Sequence, residues 1–213
     1  MPGTLLAFLG ACTLIAASPG PSTVLIIKQS LRSRRAGFLT VLGNETGVFV
    51  WGVVAAFGLT TLLAASELAY DVMRVVGAVV LVWFGVQALR QARRMKRDGD
   101  GSADAMDGDG DTRELSGRAS YRAGLLLNLA NPKAAVFALS FLPQFVPEGA
   151  PHLPAMVGLA ALWAVYEVGY YGLYVWFVGR MKDVLSRAGV RRRLEQVSGG
   201  VLVLLGVRMA LES

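Results

Sequence analysis

The sequence predicts an all-α integral membrane protein: six transmembrane helices arranged as two inverted three-helix repeats, with helices 1 and 4 broken at proline motifs. Three observations carry this. First, 54% of the 213 residues are hydrophobic and only 17% are charged, whereas an ordinary soluble domain has about 45–50% apolar and about 25% charged residues. Mean hydropathy is +0.50. Second, the charges crowd into three short stretches and leave long apolar runs between them. Third, the third and sixth of those runs align with each other without gaps.

A span needs about 20 mostly apolar residues to cross about 30 Å of hydrocarbon. Six segments qualify: Thr4–Ser30, Phe38–Ala64, Val72–Ala92, Tyr121–Val146, Leu153–Val178 and Val197–Leu211. The first is read as a retained helix and not a signal peptide. No Lys or Arg precedes it, and apolar sequence continues beyond the Ala16-Ala17-Ser18 tripeptide that could pass for a cleavage site.

Orientation follows from the basic residues, which favour cytoplasmic loops. Lys28, Arg32, Arg34 and Arg35 join spans one and two. Eight, from Arg90 to Arg122, join spans three and four, and six, from Arg180 to Arg193, join spans five and six. Together these are 18 of the 21 Lys and Arg residues. Ser66–Asp71 and Pro147–His152 carry acids and no base. Both termini are therefore expected outside a bacterial-type inner (plasma) membrane, with the basic loops cytoplasmic.

The net charge of +6 belongs to this orientation pattern and gives no reason to expect a nucleic-acid partner. One cysteine, Cys12, excludes an intramolecular disulfide, and no Cys/His spacing suggests a zinc site. No metal and no cofactor are expected. The expected partners are a small-molecule substrate, a proton and the lipid bilayer, and a homodimer is left open.

Residues 1–97 form the first three-helix repeat, 98–118 an acidic cytoplasmic linker and 119–213 the second, inverted repeat. The linker's Asp-x-Asp runs do not match a calcium loop. Counted from Asp107, position six is Thr112 where glycine is needed, and position twelve is Arg118 where glutamate is needed. In the repeat alignment Gly77–Gln87 lies over Ser198–Arg208, with five of eleven positions identical. Spans two and five add Glu45-Thr46-Gly47 over Glu167-Val168-Gly169. Spans one and four each carry proline within the helix body. Three spans per half is an odd number, so the second half must be inverted. Inverted repeats with interrupted helices at corresponding positions point to a secondary transporter with its site at the repeat interface.

Ser18-Pro19-Gly20-Pro21-Ser22 must kink or break the first span, because proline lacks the helical N–H and clashes with the preceding turn. Ser18 can cap a second half-helix with Pro19 at its first position. The free N–H groups there suit an anion such as a carboxylate. Asn131-Pro132-Lys133 repeats the arrangement in span four, with Asn131 as cap and Lys133 adding a charge. A plain proline kink would serve packing only, but two at matching places favour a site.

Ionisable residues within spans are costly and usually face a cavity or a partner. Glu167 lies near the middle of span five, and Glu45 in the cytoplasmic half of span two. With Lys133 they could pair structurally. Alternatively, either carboxylate could exchange a proton as access alternates, or receive a substrate amine. Asn44, Asn128 and Gln144 could hydrogen-bond between helices or touch substrate.

These residues resemble the lysine-exporter (LysE-type) family of amino-acid efflux translocators. The likeness rests on Pro19-Gly20-Pro21, the basic segment Arg32–Arg35 and the Gly-rich second span from Gly43. Asn128-Leu129-Ala130-Asn131-Pro132-Lys133-Ala134 and Phe141-Leu142-Pro143-Gln144-Phe145 reinforce it. Two positions depart from the family pattern: Val48 where many members have Asp, and Val79 where many have Tyr. The resemblance implies export of amino acids or related small metabolites, with proton antiport as the coupling.

The expectation is thus a non-enzymatic exporter working by alternating access. Ser18, Pro19, Gly20, Pro21, Ser22, Asn128, Asn131, Pro132 and Lys133 would bind substrate. Glu45 and Glu167 would handle the proton or the amine. Efflux of a metal cation is disfavoured, since the spans offer one Cys, no His and few carboxylates. A non-transporting membrane scaffold is the remaining alternative.

Overall fold

The computed structural model describes residues 2–18, 20–65, 67–98, 116–147, 149–178, 180, 184 and 187–211. Pro19 and most of the acidic linker lie outside them. No strand occurs among the described residues. The helices are α1 (Pro2–Ala17), α2 (Pro21–Arg32), α3 (Arg34–Ala65), α4 (Glu67–Asp98), α5 (Gly117–Leu129), α6 (Pro132–Phe141), α7 (His152–Trp176) and α8 (Ala188–Leu211), with a 3₁₀ turn at Leu142–Phe145.

Two segments, Arg34–Gly58 in α3 and His152–Trp176 in α7, are each long and apolar enough to cross a membrane. Two bent pairs meet the same requirement when taken together. Thr4–Ala17 with Pro21–Arg32 bends by 67°, and Gly117–Leu129 with Pro132–Phe145 bends by 60°. The expected third and sixth spans fall within α4 and α8.

Local sequence accounts for both bends. A residue before proline is pushed out of the α region, and Gly20 and Asn131 are both extended, at φ −141°, ψ −175° and φ −87°, ψ 107°. A helix can therefore start only at the proline, whose missing N–H would be unpaired at that position anyway. Asn131 caps α6, its side chain accepting from the Lys133 N–H at 3.0 Å. In the first break, by contrast, helix α2 starts at Pro21 behind Gly20, and no side chain caps it. Ser18 is not its cap, because the extended Gly20 separates it from the helix; its hydroxyl is used elsewhere.

Small residues let the helices approach closely. A Cβ on Gly43 would strike the Tyr121 carbonyl, and one on Gly124 the Thr40 carbonyl, so α3 and α5 touch backbone to backbone. Their numbering rises together, from Thr40 Oγ1 donating to the Ser120 carbonyl to Trp51 Nε1 donating to that of Asn128. The two helices therefore run parallel. Helices α3 and α7 run antiparallel, Gly52 meeting Ala160 and Glu45 meeting Glu167. Helices α4 and α8 are also antiparallel, Gly85 against Gly199 and Ala78 against Gly206.

Two apolar clusters flank the centre. Phe8, Phe137, Phe141 and Trp163 join α1, α6 and α7, with Phe137 and Phe141 stacked at 4.0 Å between ring centroids. Ala16, Ile26, Ile27, Val41, Tyr171 and Tyr174 form the second. Apolar residues also cover the outside: Val54, Phe57, Val165, Leu173 and Trp176 are all exposed. An aqueous surface would not favour that belt, whereas hydrocarbon does.

Candidate functional site

A helix leaves its last four carbonyls without intrahelical partners. At the end of α1, inside the protein, three of these carbonyls accept hydrogen bonds from three different helices. Ser198 Oγ of α8 donates to the Leu14 carbonyl at 2.8 Å, Tyr171 Oη of α7 to Ala16 at 3.3 Å and Lys133 Nζ of α6 to Ile15 at 3.4 Å. The Ser18 hydroxyl, just beyond, donates to Glu195 Oε1 at 3.4 Å. The first break is thus tied to the second half of the chain.

Between the breaks lies a cavity of about 50 Å³. One water needs about 10–15 Å³ on this measure, so there is room for a few such groups. Ser18, Gly20, Pro21 and Ser22 line it from the first break, and Asn128, Asn131 and Lys133 from the second. Asn44, Trp163, Glu167 and Tyr171 complete its polar wall, with Ile15, Ala16, Val48 and Ala134 as apolar patches. The N-termini of α2 and α6 both reach this space and bring two positive dipole ends. At α6 the first N–H groups are already bonded, that of Lys133 to the Asn131 side chain and those of Ala134 and Ala135 to the Asn131 carbonyl.

Eight of the expected site residues therefore converge on one cavity. Pro132 is exposed at the start of α6 and does not line it. Glu45 stands behind the wall, beside Asn44 and Glu167. Pro19 lies outside the described residues. Gln144 is also elsewhere, donating to the Ser140 carbonyl at 2.8 Å.

A hydrogen-bonded chain runs back from the cavity. Asn128 Nδ2 donates to Asn44 Oδ1 at 3.2 Å, and Asn44 Nδ2 to Glu45 Oε1 at 2.8 Å. The Glu45 carboxyl neighbours that of Glu167, which accepts from Trp163 Nε1 at 2.8 Å. Both glutamates are almost wholly buried, at 2% and 3% exposure. Glu45 was expected nearer the cytoplasmic surface than Glu167. It sits instead at the centre of the apolar segment Arg34–Gly58, because the helix extends back to Arg34 and draws that segment with it. The two carboxyls are therefore level.

Three buried atoms of this region have no donor or acceptor facing them: Ser22 Oγ, Asn128 Oδ1 and Glu45 Oε2. Buried polar atoms are normally paired, and the first two belong to cavity-lining residues. Lys133 feels two carboxylates, Glu195 and Glu167. Among the described residues, no group of three or more His, Cys, Asp and Glu is arranged to hold a metal ion.

Glu195 was not singled out in the sequence, and Trp163 and Tyr171 read as span-five aromatics, mostly for packing, with some of the tyrosines able to line the path. Trp163, Glu167 and Tyr171 recur at intervals of four, on one helix face, so that spacing could have found the aromatic pair. Glu195 follows Arg191–Arg193 and read as part of a basic loop, but α8 begins at Ala188 and buries it.

Comparison with known proteins now adds a family. A model described as LysE type translocator matches residues 13–213. "Threonine efflux protein" of Salmonella typhi is 33% identical over 161 residues, covering 75% of this chain and 71% of that protein. "Homoserine/homoserine lactone efflux protein" of Salmonella typhimurium is 25% identical over 205 residues, 96% of this chain and 94% of that one. "Uncharacterized membrane protein YrhP" of Bacillus subtilis is 25% identical over 209 residues, 98% and 99% of the two chains. No solved structure matches the chain.

Proposed function

The chain belongs to the LysE type translocator family, and from that footing we propose that it exports amino acids or related small metabolites from the cytoplasm by alternating access, in antiport with protons. It is a membrane efflux transporter and not an enzyme. The observation that carries the finer reading is the cavity between two inward-facing helix N-termini, backed by a buried carboxyl pair.

An amino acid brings a carboxylate and an ammonium group a few ångströms apart, and the cavity offers a match for each. The substrate carboxylate lies at the N–H groups that open α2, near Ser22, with the positive end of α6 at Asn131 facing it. The ammonium lies toward Glu167. Ser22 Oγ and Asn128 Oδ1 supply hydrogen bonds that nothing in the protein takes up. The small volume and the apolar patch of Ala16, Val48 and Ala134 suit a compact side chain.

The coupling rests on charge. Two neighbouring buried carboxylates repel each other unless a positive charge is shared between them. The Glu45–Glu167 pair therefore takes up one cation, either a proton or the substrate ammonium. Mutual exclusion of the two is antiport: substrate leaves outward as a proton takes its place and is carried in.

Six spans serve this cycle: α1 with α2, α3, α4, α5 with α6, α7 and α8. Residues 1–97 and 119–213 form halves inverted about an axis in the membrane plane, joined by the cytoplasmic linker 98–118, with both termini outside. The contacts of α4 with α8 support the inversion. The repeat register lays Ala78 on Gly199 and Gly85 on Gly206, so the Gly85–Gly199 contact is the image of Ala78–Gly206. Glu45 lies over Glu167 in the same alignment, and their contact is its own image, on the axis. A bacterial inner membrane is the setting.

Export of radiolabelled L-threonine from loaded cells tests the reading. Pro21→Ala and Glu167→Gln should each depress it; wild-type rates in both would contradict the site.

A further inference from the structure

Glu195 has no part in the function proposed so far, although it is buried to 4% exposure in a segment the sequence reads as polar. A buried carboxylate is kept only with partners. One is the Ser18 hydroxyl at 3.4 Å, and Lys133 is close enough to feel its charge. Lys133 itself lines the cavity, as Ile15 and Glu167 do. Its ammonium donates to the Ile15 carbonyl at 3.4 Å, a long and weak bond, at the negative end of the α1 dipole.

That position has a consequence for substrate binding. The end of α1 and the Glu167 carboxylate are the negative features of the cavity wall, and they are what a substrate ammonium would seek. Lys133 already supplies an ammonium there. Two cations cannot share one low-dielectric carboxylate without strong repulsion.

We propose that Lys133 is a tethered stand-in for the substrate amine, and that Glu195 is the positioning residue that receives it when substrate enters. Lys133 bonds the Ile15 carbonyl at the α1 end, shares the cavity wall with Glu167 of α7 and Ser18, and lies within electrostatic range of both Glu167 and Glu195 of α8. When the substrate ammonium pairs with Glu167, Lys133 moves its charge to Glu195. The Ser18 hydroxyl, bonded to Glu195 at the first break, carries that change to the start of α2. With substrate bound, each of the two ammonium groups thus has its own carboxylate. Glu195 touches no substrate and acts through Lys133.

This rests on the amino-acid exporter reading, and its test separates the two. [³H]L-threonine counterflow is measured in proteoliposomes carrying wild type, Glu195→Gln, Lys133→Gln and the double variant. In Glu195→Gln, Lys133 has no second partner and competes with substrate at Glu167. KM should rise about ten-fold, the size of a coupled charge pair, with the maximal rate within about two-fold. Glu195→Asp, which keeps the charge, should hold KM within about three-fold of wild type. Once Lys133 is Gln, the competitor is gone, and adding Glu195→Gln should leave KM unchanged. An equal KM rise with and without Lys133 would overturn the proposal, as would wild-type KM in Glu195→Gln. If the single Glu195→Gln protein does not fold, the double variant against Lys133→Gln still decides: a KM difference between those two would overturn the proposal. Failure of wild type to exchange threonine or homoserine would overturn the exporter reading and this inference together.

Discussion

The carboxyl groups of Glu45 and Glu167 meet midway along two antiparallel helices, α3 and α7, each long and apolar enough to cross a membrane. Neither reaches solvent. Asn44 donates to the first and Trp163 to the second, at 2.8 Å in each case. In the proposed cycle, these four side chains from two helices hold one shared position for a positive charge. Several outcomes should depend on that arrangement.

Replacing either glutamate by glutamine removes the repulsion between the two side chains and lets the amide N–H donate to the remaining carboxylate. Fold and yield should survive Glu45→Gln or Glu167→Gln. Each variant should still exchange labelled for unlabelled threonine across a vesicle membrane, while an imposed pH gradient should no longer accelerate net efflux. Gradient-driven efflux at the wild-type rate in both would contradict the pair as the proton site.

Asn44 bridges Asn128 and Glu45, so Asn44→Leu strands both. Interhelical polar contacts of this kind contribute about 1–2 kcal/mol. A drop of several degrees in the melting temperature of the detergent-solubilised protein is the expected reading, together with lost transport. Unchanged melting would mean the chain is incidental.

Two glycines on α3 should behave oppositely. A side chain at Gly43 would collide with the Tyr121 carbonyl, whereas at Gly58 nothing lies within 4 Å. Gly43→Leu should abolish folded yield and Gly58→Leu should leave it intact, read by size-exclusion of membrane extracts. Equal tolerance at both would contradict the close packing of α3 on α5.

At the second break, Asn131 caps α6 through the Lys133 N–H. Loss of such a cap costs about 1 kcal/mol. Asn131→Ala should lower stability by that amount and reduce transport, while Asn131→Asp should retain the cap and the stability. The aspartate would also add a negative charge where the substrate carboxylate is received, so its transport should fall. Equal transport in Asn131→Asp and wild type would remove the anion from that end of the cavity.

Much of this was legible in the sequence, for identifiable reasons. Proline fixes φ and deletes a donor wherever it occurs, so the helix start at Pro132 could be read from residue type alone, whereas at the first break the helix expected from Pro19 starts at Pro21. Glu167 in an apolar run announces itself by its desolvation cost. What local sequence could not supply was distance in space. Ser18 looked like a cap, yet its hydroxyl reaches Glu195, 177 positions on. Glu45 looked peripheral because the apolar run was read from Phe38, whereas the helix begins at Arg34. Glu195 was hidden by the arginines before it, since composition averages over a helix whose one inward face decides its role. Lys133 read as a charge for an anion, and only the fold turns its ammonium to the carbonyl end of α1.

The central claim is that one buried carboxyl pair exchanges a proton for an amino acid. Proteoliposomes loaded with [³H]L-threonine and placed in acidic medium test it directly. The account predicts efflux faster than at equal pH, abolished by a protonophore and absent from Glu167→Gln. Efflux by wild type that is indifferent to the pH gradient would contradict it.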